Sequence, residues 1–464
     1  MNNHPILLRD LKLKILFINV SKNWNGRVYA EYPIGVGILG TIALEAGHDV
    51  RILDLAVENV DAVNVIGEFK PDVTAISFLS TSATTAFNLI KQLNMVDCGT
   101  IVSGGIHTSI FPQDMVLRGV DFSLSGEGEL SFIPLVNYIA KNGLNKDSHA
   151  ELAEIPSISY MNSLGVVIST PASKLSVDLN NTPAINRDIF NLDLYPHHTI
   201  ITSRGCPYKC KFCCSWGPGG KKGRMASPEK ILCEVEMLAE KYGEISLYWA
   251  DDMFFFNRRD RLKFCKMLSE KNLPIKWIAQ LRADSIDVEL AQALVEAGCV
   301  KICIGAESGS DRVLNDIGKK TKIEDIKKAI KICRTVGLRI KTWWITGLPG
   351  SSLEEEYAAL DAITHSMPNE VAIHTFVPLP GTEYWDRASE FGIHLPSMDQ
   401  LEKLFYYGLP GDIKLDYISP SDMTEVLQTF NTELRSLGYV ATDEATDSSE
   451  FVFTSPIQDK TFNI

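Results

Sequence analysis

The feature that most constrains the fold is a repeated alternation of short apolar runs with helical stretches. From about His198, six such runs are separated by helices: TIITS, ISLYWA, IKWIAQ, VKICIGA, IKTWWIT and VAIHTFV. Strands that alternate with helices along a chain build parallel sheets. A complete barrel of this type needs eight units. Six units therefore predict an α/β architecture with a partial, TIM-like (βα)6 barrel.

Cap signals mark several helices of this region. Ser227 and Pro228 form a predicted N-cap with proline at the first helical position, and Gly243 ends that helix. Capping-box spacing occurs twice, at Thr321 with Glu324 and at Ser352 with Glu355. Aromatic residues near the strand ends could wall a cavity, although most are expected to be core: Trp216, Tyr248, Trp249, Phe254, Phe255, Phe256, Trp343 and Trp344.

The first 130 residues show a second alternation, through LKILFINV, VRILDL, VTAISFL, TIVSGG and VDFSLSG. This pattern predicts a doubly wound, Rossmann-like parallel sheet. A small hairpin is expected around Asn162 to Gly165. The predicted divisions are a Rossmann-like domain (1–144), a hairpin and linker (145–194), the partial barrel (195–395) and a mostly helical C-terminal extension (396–464), whose polar tail beyond about Val440 is expected to be loosely ordered.

Composition excludes some partners. The chain has 45 Lys and Arg against 58 Asp and Glu, a net charge of −13, which disfavours binding to nucleic acid or to an anionic membrane surface. No run of about 18 apolar residues is present, as a membrane span would need. We expect a cytoplasmic protein whose partner is a small molecule.

Three cysteines follow the first barrel strand in the segment TSRGCPYKCKFCCSWG. Cys206, Cys210 and Cys213 form a C-x-x-x-C-x-x-C loop. Three thiolates can hold three irons of a 4Fe-4S cluster and leave the fourth iron open for chemistry. The alternative is a zinc site, but zinc prefers four ligands and no fourth partner has the usual spacing. Cys214 is interpreted as incidental, and mostly core positions are expected for the remaining cysteines: Cys98, Cys233, Cys265, Cys299, Cys303 and Cys333.

This loop resembles that of the radical S-adenosylmethionine (radical SAM) superfamily, over roughly residues 195 to 395. The resemblance implies a cluster on Cys206, Cys210 and Cys213 and S-adenosylmethionine at the open iron. Ala250 to Asp252 stand where the family has a Gly-Gly-Glu stretch, although both glycines are absent. Glu307 resembles a ribose contact, and Gly347 resembles backbone near adenine. The S-adenosylmethionine contacts implied are Phe212, Ala250, Asp251, Asp252, Gln280, Arg282, Glu307, Ser308, Gly347 and Leu379.

The N-terminal domain contains a G-x-G-x-x-G sequence, Gly35 to Gly40, with Asp54 at the end of the next strand. A dinucleotide site needs these glycines directly after the first strand and an acidic residue about 20 positions later. Here about 14 residues separate the strand from Gly35, and Asp54 follows Gly40 by only 14. Close helix packing explains the glycines more simply than nicotinamide binding.

The same domain resembles the cobalamin-binding domain that precedes many radical SAM barrels. The loops that carry the resemblance are SFLSTSATT, SGGIHTSIFP and SGEGE. The Asp-x-His-x-x-Gly motif of other cobalamin proteins is absent, so the cobalt would lack a lower histidine ligand; His107 is then a tail or loop contact or a capping residue. The cobalamin contacts implied are Ser80, Thr81, Gly104, Gly105, His107, Thr108, Gly126 and Glu127.

Together the two resemblances imply a cobalamin-dependent radical SAM enzyme, with a flavodoxin or ferredoxin as electron donor. The leading hypothesis is a C-methyltransferase that uses methylcobalamin and a 5′-deoxyadenosyl radical on an unactivated carbon of a small biosynthetic substrate. Oxidative cyclisation or ring rearrangement without methyl transfer is the second hypothesis. An iron-sulfur or cobalamin sensor is the non-enzymatic one. Methylthiolation is disfavoured, because those enzymes carry a second cysteine-bound cluster and only Cys98 precedes Cys206.

Overall fold

The computed structural model describes residues 12–21, 31–147, 149–215, 223–404, 410–441 and 451–455. These residues divide into two compact units, one reaching to His198 and one beginning at Thr199. Among the described helices none is long and apolar enough to cross a membrane. Trp216 lies outside the described residues.

The first unit is built on a sheet whose strand order is β2-β1-β3-β4-β5-β6-β7. The pairs from β2 to β5 are parallel, and the order 2-1-3-4-5 is that of a doubly wound fold with its switch point between β1 and β3. The predicted Rossmann-like architecture is confirmed. The strands are β1 (Lys14–Val20), β2 (Asp49–Asp54), β3 (Val73–Phe78), β4 (Thr100–Gly104), β5 (Phe122–Leu124), β6 (Ile158–Met161) and β7 (Val167–Ser169).

Helices connect these strands: α1 (Ile34–Glu45), α2 (Ala62–Phe69), α3 (Ala83–Leu93), α4 (Gly105–Ile110), α5 (Pro112–Leu117), α6 (Phe132–Asn142) and α7 (His149–Ala153). The G-x-G-x-x-G sequence lies inside α1. A Cβ added at Gly37 would lie 3.0 Å from the Ile185 side chain, and one at Gly40 would lie 3.0 Å from Ile189. These glycines therefore permit close helix packing, as the sequence predicted.

The predicted hairpin is present, but it is more than a linker. Strands β6 and β7 pair antiparallel around a turn in which the Asn162 N–H donates to the Val166 carbonyl. Strand β6 also pairs antiparallel with β5, with Phe122 opposite Tyr160. The hairpin therefore extends the sheet of the first unit, because the exposed edge of β5 offers its backbone groups to a further strand.

The second unit contains a sheet of order β8-β11-β12-β13-β14-β15-β19-β18, as far as the described residues show. The consecutive pairs from β11 to β15 are parallel, and β8 follows β11 at the edge. This is the predicted partial barrel. The strands are β8 (His198–Ile200), β9 (Ser203–Arg204), β10 (Arg224–Met225), β11 (Ile245–Trp249), β12 (Ile275–Leu281), β13 (Cys299–Glu307), β14 (Arg339–Thr346), β15 (Glu370–Thr375), β16 (Ile393–His394), β17 (Lys414–Leu415), β18 (Val440–Ala441) and β19 (Phe451–Thr454).

The helices of the second unit are α8 (Pro228–Tyr242), α9 (Arg258–Lys271), α10 (Val288–Glu296), α11 (Asp311–Asp316), α12 (Ile323–Val336), α13 (Leu353–Ser366), α14 (Glu383–Asp386) and α15 (Pro420–Ser436). The Ser227 cap and the box of Ser352 and Glu355 are confirmed. The box predicted at Thr321 is wrong by one position: the Asp325 carboxylate accepts from the Lys322 N–H, while the Thr321 hydroxyl accepts from Arg282. The Thr321 hydroxyl that was expected to cap α12 instead binds the side chain of Arg282, which follows β12.

The two faces of the barrel sheet differ. On the helix-covered face, the Trp277 indole N–H donates to the Ala297 carbonyl at the end of α10, and Trp249 packs edge-on against Phe264 of α9. The residues that alternate with the buried ones along the strands, such as Tyr248 of β11 and Trp343 of β14, point to the opposite face and are only half-buried. The expectation of core aromatics therefore holds for Trp249, Phe254, Phe255 and Trp344, but not for Tyr248, Phe256 and Trp343.

The C-terminal segment differs from the expected loose tail. Strand β19 pairs antiparallel with β15, opposing Phe453 to Val371, and the Phe453 side chain is fully buried. The short apolar run Phe451-Val452-Phe453 is consistent with a strand. The polar residues on both sides of the run made this strand hard to predict from the sequence. Residues 442–450 and 456–464 lie outside the described residues.

Candidate functional site

The cysteine loop follows β9 and is held by the segment that leads out of α11. The Lys211 N–H donates to the Ile317 carbonyl at 2.8 Å. Gly318 has φ +76°, and a Cβ there would lie 2.7 Å from the Lys209 carbonyl oxygen. Only glycine allows this close approach. The backbone thus positions Cys206, Cys210 and Cys213 without using their side chains.

The three thiols lie in one electrostatic environment. Burial raises the pKa of Cys210 to about 11, whereas the Lys319 and Arg282 charges act to lower it. Burial also raises the pKa of Cys206, and that of Cys213, whose Sγ lies 2.9 Å from the Ser215 hydroxyl. Metal binding releases the thiol proton. The nearby cations favour the thiolate forms that such binding requires.

The donor set fits an iron-sulfur cluster better than a single ion. Within the described parts of the chain, no three His, Cys, Asp or Glu side chains converge as ligands of one metal ion. Each thiolate of a cubane binds a different iron, so its ligands need not meet at one point. Three soft sulfur donors on one loop suit a 4Fe-4S cluster.

Asp251 connects the end of β11 to the start of the cysteine loop. Its carboxylate, 2% exposed, accepts from the N–H groups of Thr202 and Ser203, both at 2.7 Å, and from both hydroxyls. Burial raises its pKa to about 7 against the opposing effect of these donors. With its oxygens engaged by four donors, Asp251 positions the loop rather than presenting a free carboxylate.

Arg282 has a similar role beside the loop. Its guanidinium lies 3.7 Å from the centre of the Tyr208 ring, within the cysteine loop. It also donates to the Asp284 carboxylate, the Lys319 carbonyl and the Thr321 hydroxyl. Arg282 thereby joins the end of β12 to the cysteine loop and to the residues after α11.

Glu307 ends β13 in a strained conformation. Its φ of +65° is rare for a residue with a side chain, and the register of β13 against β14 shifts between Gly305 and Glu307. Its carboxylate pairs with Lys319 at 2.7 Å, and both side chains are at most 10% exposed. A Cβ at Gly305 would lie 2.0 Å from Glu307 Oε1. Lys319 was missed from the sequence, because nothing in its local context marks it.

The other predicted S-adenosylmethionine contacts lie at or after strand ends, as expected. Gln280 donates to the Tyr248 hydroxyl at 2.8 Å, and Asp252 accepts from Ser215. Gly347, with φ +75°, donates its N–H to the buried Glu356 and accepts from the Tyr417 hydroxyl. Ser308 is buried, whereas three others are partly exposed: Phe212, Ala250 and Leu379.

In the first unit, the predicted cobalamin loops follow β3, β4 and β5. Gly105 has φ +90°, and a Cβ there would lie 2.9 Å from the Ser77 hydroxyl. Ser103 Oγ, His107 Nε2 and Thr108 Oγ1 are buried without a hydrogen-bond partner in the described structure. Buried polar atoms left in this way each cost about 1–3 kcal/mol. A glycine cradle beside orphaned polar atoms fits a polar ligand such as the nucleotide tail of cobalamin.

Several residues of these loops contact protein. His107 is fully buried, its ring stacks on Phe78, and its Nδ1 lies 3.0 Å from the Ser80 hydroxyl. Burial lowers its pKa to about 4, so it is neutral near pH 7. Glu127 accepts from the Val177 N–H, and Gly126 donates to Ser109. Ser80 and Thr81 are buried in a single helical turn after β3. Gly104 precedes α4, and Thr108 lies within that helix.

The structure also removes the basis of the nicotinamide alternative. Asp54 is 1% exposed, and its carboxylate accepts from Asn19 and from the Tyr195 hydroxyl, each at 2.7 Å. A ribose-binding acid must present free oxygens at the strand end. Asp54 instead joins β1 and β2 to the segment before the barrel.

Two family models match the chain. The model of the radical SAM superfamily covers residues 200–363, and that of the B12 binding domain covers residues 27–136. The chain combines a radical SAM domain with a B12 binding domain. The matched ranges lie within the Rossmann-like domain and the partial barrel. They include the cysteine loop and the β4 loop with its orphaned polar atoms.

Relatives of this radical SAM enzyme include an uncharacterized methyltransferase of Pyrococcus horikoshii, 29% identical over 77% of this chain and 78% of its own. A cytidylyl-2-hydroxyethylphosphonate methyltransferase of Streptomyces wedmorensis is 25% identical over 76% and 77%. An anaerobic magnesium-protoporphyrin IX monomethyl ester cyclase of Rubrivivax gelatinosus is 28% identical over 74% of this chain and 65% of its own. The fold resembles that of the radical SAM methyltransferase TsrM of Kitasatospora setae, with a TM-score of 0.70 at 18% identity over 90% and 91%.

Proposed function

We propose that this enzyme is a C-methyltransferase that binds a 4Fe-4S cluster, S-adenosylmethionine and cobalamin and methylates an unactivated carbon of a small biosynthetic molecule. The observation that carries the proposal is the presence, in one chain, of a positioned three-thiol loop and a B12 binding domain. Relatives named as methyltransferases along three quarters of the chain support transfer of a methyl group.

When bound, the cluster and S-adenosylmethionine supply a radical that removes hydrogen from carbon, and cobalamin carries a methyl group. The residues of this chain bind and orient these groups. Cys206, Cys210 and Cys213 hold the cluster, and Lys319 fixes the Glu307 carboxylate for a ribose hydroxyl. Asp251 and Arg282 set the position of the cysteine loop. Burial of these groups limits the access of water to the site.

The partners follow from the same residues. We propose a reducing cytoplasm, where exposed thiols such as Cys233 persist, and a small protein such as a flavodoxin or ferredoxin as electron donor. The net charge of −13 disfavours nucleic acid and anionic membranes as partners. A small-molecule substrate remains the best fit.

Oxidative cyclisation is the second candidate, since the Rubrivivax gelatinosus cyclase is 28% identical. The products formed from S-adenosylmethionine distinguish the two reactions. A C-methyltransferase consumes one S-adenosylmethionine as methyl donor and one as radical source, so S-adenosylhomocysteine and 5′-deoxyadenosine accumulate together. A cyclase forms 5′-deoxyadenosine alone, and a sensor forms neither.

The experiment uses the full chain, reconstituted anaerobically with iron, sulfide and hydroxocobalamin and supplied with S-adenosylmethionine, dithionite and a small-metabolite extract. We expect S-adenosylhomocysteine and 5′-deoxyadenosine in equal amounts beyond the background without extract. The matched control omits cobalamin and should lose the S-adenosylhomocysteine. Extract-dependent 5′-deoxyadenosine without S-adenosylhomocysteine would instead identify a cyclase.

A further inference from the structure

The face of the barrel sheet opposite the helices carries cationic side chains. Lys301 on β13 and Arg339 on β14 are adjacent in the strand register, and Lys341 lies two positions further along β14, beside Glu370 of β15. Lys301, Arg339 and Lys341 are named the cation cluster below. Their position inside the curve of a parallel sheet is unusual, because such positions are mostly filled by branched apolar residues.

The Glu370 carboxylate interacts with all three residues of the cation cluster. Lys301 Nζ lies 3.2 Å from both Glu370 oxygens, and Arg339 Nη2 lies 3.0 Å from Oε1. Burial acts to raise the pKa of Glu370, but Lys301, Lys341 and Arg339 lower it below its ordinary value. Glu370 is therefore ionised near pH 7. It balances one of three positive charges.

No second acid on the described strands completes the balance. The carboxylate at the strand end, Glu307, is already paired with Lys319. A half-buried surplus of charge is costly unless an opposite charge arrives. The surplus predicts an anionic occupant.

Two donor groups of the cluster make no hydrogen bond within the described residues. Arg339 Nε is buried without a hydrogen-bond partner among the described residues. The Lys341 ammonium lies 5.8 Å from the centre of the Trp343 ring and makes no hydrogen bond in that part of the chain. Arg339 and Lys301 are about one quarter exposed, at 26% and 24%. The side chains of Arg339 and Lys301 are therefore partly accessible to solvent.

The wall between the cluster and the strand ends is apolar and aromatic. Trp343 lies beside Gly305 in the register, and Ile278 lies beside Lys301. Cys303, beside Lys341, is buried, as expected for a core position, whereas the core position expected for Cys233 is wrong, because Cys233 is exposed. Glu307 stands four residues beyond Cys303, roughly 13 Å along the strand.

We propose that the cation cluster binds a carboxylate or phosphoryl group of the substrate, whose uncharged body extends along Trp343 and Ile278 toward the strand ends. The substrate class is thus a small organic anion with its reacting carbon away from the charged group. This inference rests on the proposed function, because it assigns the substrate of the same barrel.

The test measures the binding of two probes, citrate and inorganic pyrophosphate, to the reconstituted full chain by isothermal titration calorimetry. Lys341→Met should weaken binding of the preferred probe by roughly tenfold, as loss of one charge-assisted hydrogen bond implies. Lys341→Arg should retain it. The matched control is Lys331→Met, which removes a lysine from the exposed outer side of α12 and should leave affinity unchanged.

The outcomes separate cleanly. Tighter binding of citrate assigns a carboxylate, and tighter binding of pyrophosphate assigns a phosphoryl group. Equal affinity in the wild type and Lys341→Met, or no binding of either probe, overturns the anion site. S-adenosylmethionine affinity, measured on the same samples, reports whether the barrel is folded. Failure of the probes with intact formation of S-adenosylhomocysteine would refute this inference alone, whereas loss of both products in the wild type would refute the proposed function.

Discussion

Lys319 Nζ lies 2.7 Å from Glu307 Oε1, and both side chains are buried at the carboxyl end of β13. Glu307 adopts a left-handed φ of +65° to make this contact, and Gly305 lacks the Cβ that would block it. Lys319 also acts on the Cys210 thiol, whose pKa it lowers against burial. One lysine therefore connects the predicted cluster ligand with the predicted ribose contact.

Lys319→Met should destabilise the protein and weaken S-adenosylmethionine binding. Removal of one partner of a buried ion pair leaves an uncompensated charge and costs on the order of 3 kcal/mol. We expect a drop of this size in the free energy of unfolding, measured by urea denaturation, and at least roughly tenfold weaker binding of S-adenosylmethionine. Lys322→Met, at an exposed nearby position, should change neither. If Lys319→Met binds S-adenosylmethionine as tightly as the wild type does, Glu307 is not part of the binding site.

Each of Cys206→Ala, Cys210→Ala and Cys213→Ala should abolish formation of 5′-deoxyadenosine, because the cluster needs all three thiolates. Iron content and cleavage of S-adenosylmethionine by the anaerobically reconstituted variants check this. Two controls separate ligands from bystanders: Cys214→Ala within the loop and Cys233→Ala on the exposed side of α8 should both retain activity. If any of the first three variants still forms 5′-deoxyadenosine, the assignment of that cysteine as a cluster ligand is wrong.

His107 should make the protein sensitive to acid. Burial, followed by the Arg118 charge, lowers its pKa in the folded chain to about 4 from 6.5. The unfolded chain therefore takes up a proton as the pH falls below about 6.5, while the folded chain does not, and stability is lost. Between pH 7.5 and 5.5 this costs about 1 kcal/mol. His107→Phe should remove that part of the pH dependence, and His365→Gln, at an exposed position, should not. An identical pH dependence in His107→Phe would show that His107 is protonated in the folded protein.

The reconstituted full chain should retain close to one cobalamin through gel filtration, with its cobalt free of a histidine ligand from the chain. His107 is enclosed by Phe78, Phe87 and Phe111 and cannot reach a metal without repacking. The nitrogen hyperfine splitting in the electron paramagnetic resonance spectrum of Co(II) should therefore be the same in the wild type and in His107→Phe, because no nitrogen of His107 contributes to it. Histidine-derived splitting lost in His107→Phe would contradict this arrangement.

The sequence predicted the elements of the fold well because their apolar periodicity is strong. The six barrel strands and the parallel strands of the Rossmann-like sheet follow from local patterns and the rules of parallel topology. What local patterns could not show is which edge a short element joins. The hairpin at Asn162 extends the first sheet, and β19 extends the barrel sheet. Both depend on pairing between distant residues.

The site was predictable only where spacing along the chain defines it. The three cysteines share one loop, so their pattern is local. Lys319 and the cation cluster are visible only after strands distant in sequence become neighbours, because a lone lysine in a sequence is usually a surface residue. Asp251 was placed correctly at a strand end, but the direction of its carboxylate depends on backbone donors that a sequence does not display.

The most direct test of the central claim follows the methyl group. The reconstituted enzyme is given S-adenosylmethionine with a fully deuterated methyl group, dithionite and the anionic fraction of a small-metabolite extract, and the products are analysed by mass spectrometry. We predict a carbon-methylated product that carries the intact deuterated methyl group, with S-adenosylhomocysteine in equal amount, and no such product from Cys210→Ala. A new product without deuterium, formed together with 5′-deoxyadenosine, would contradict methyl transfer.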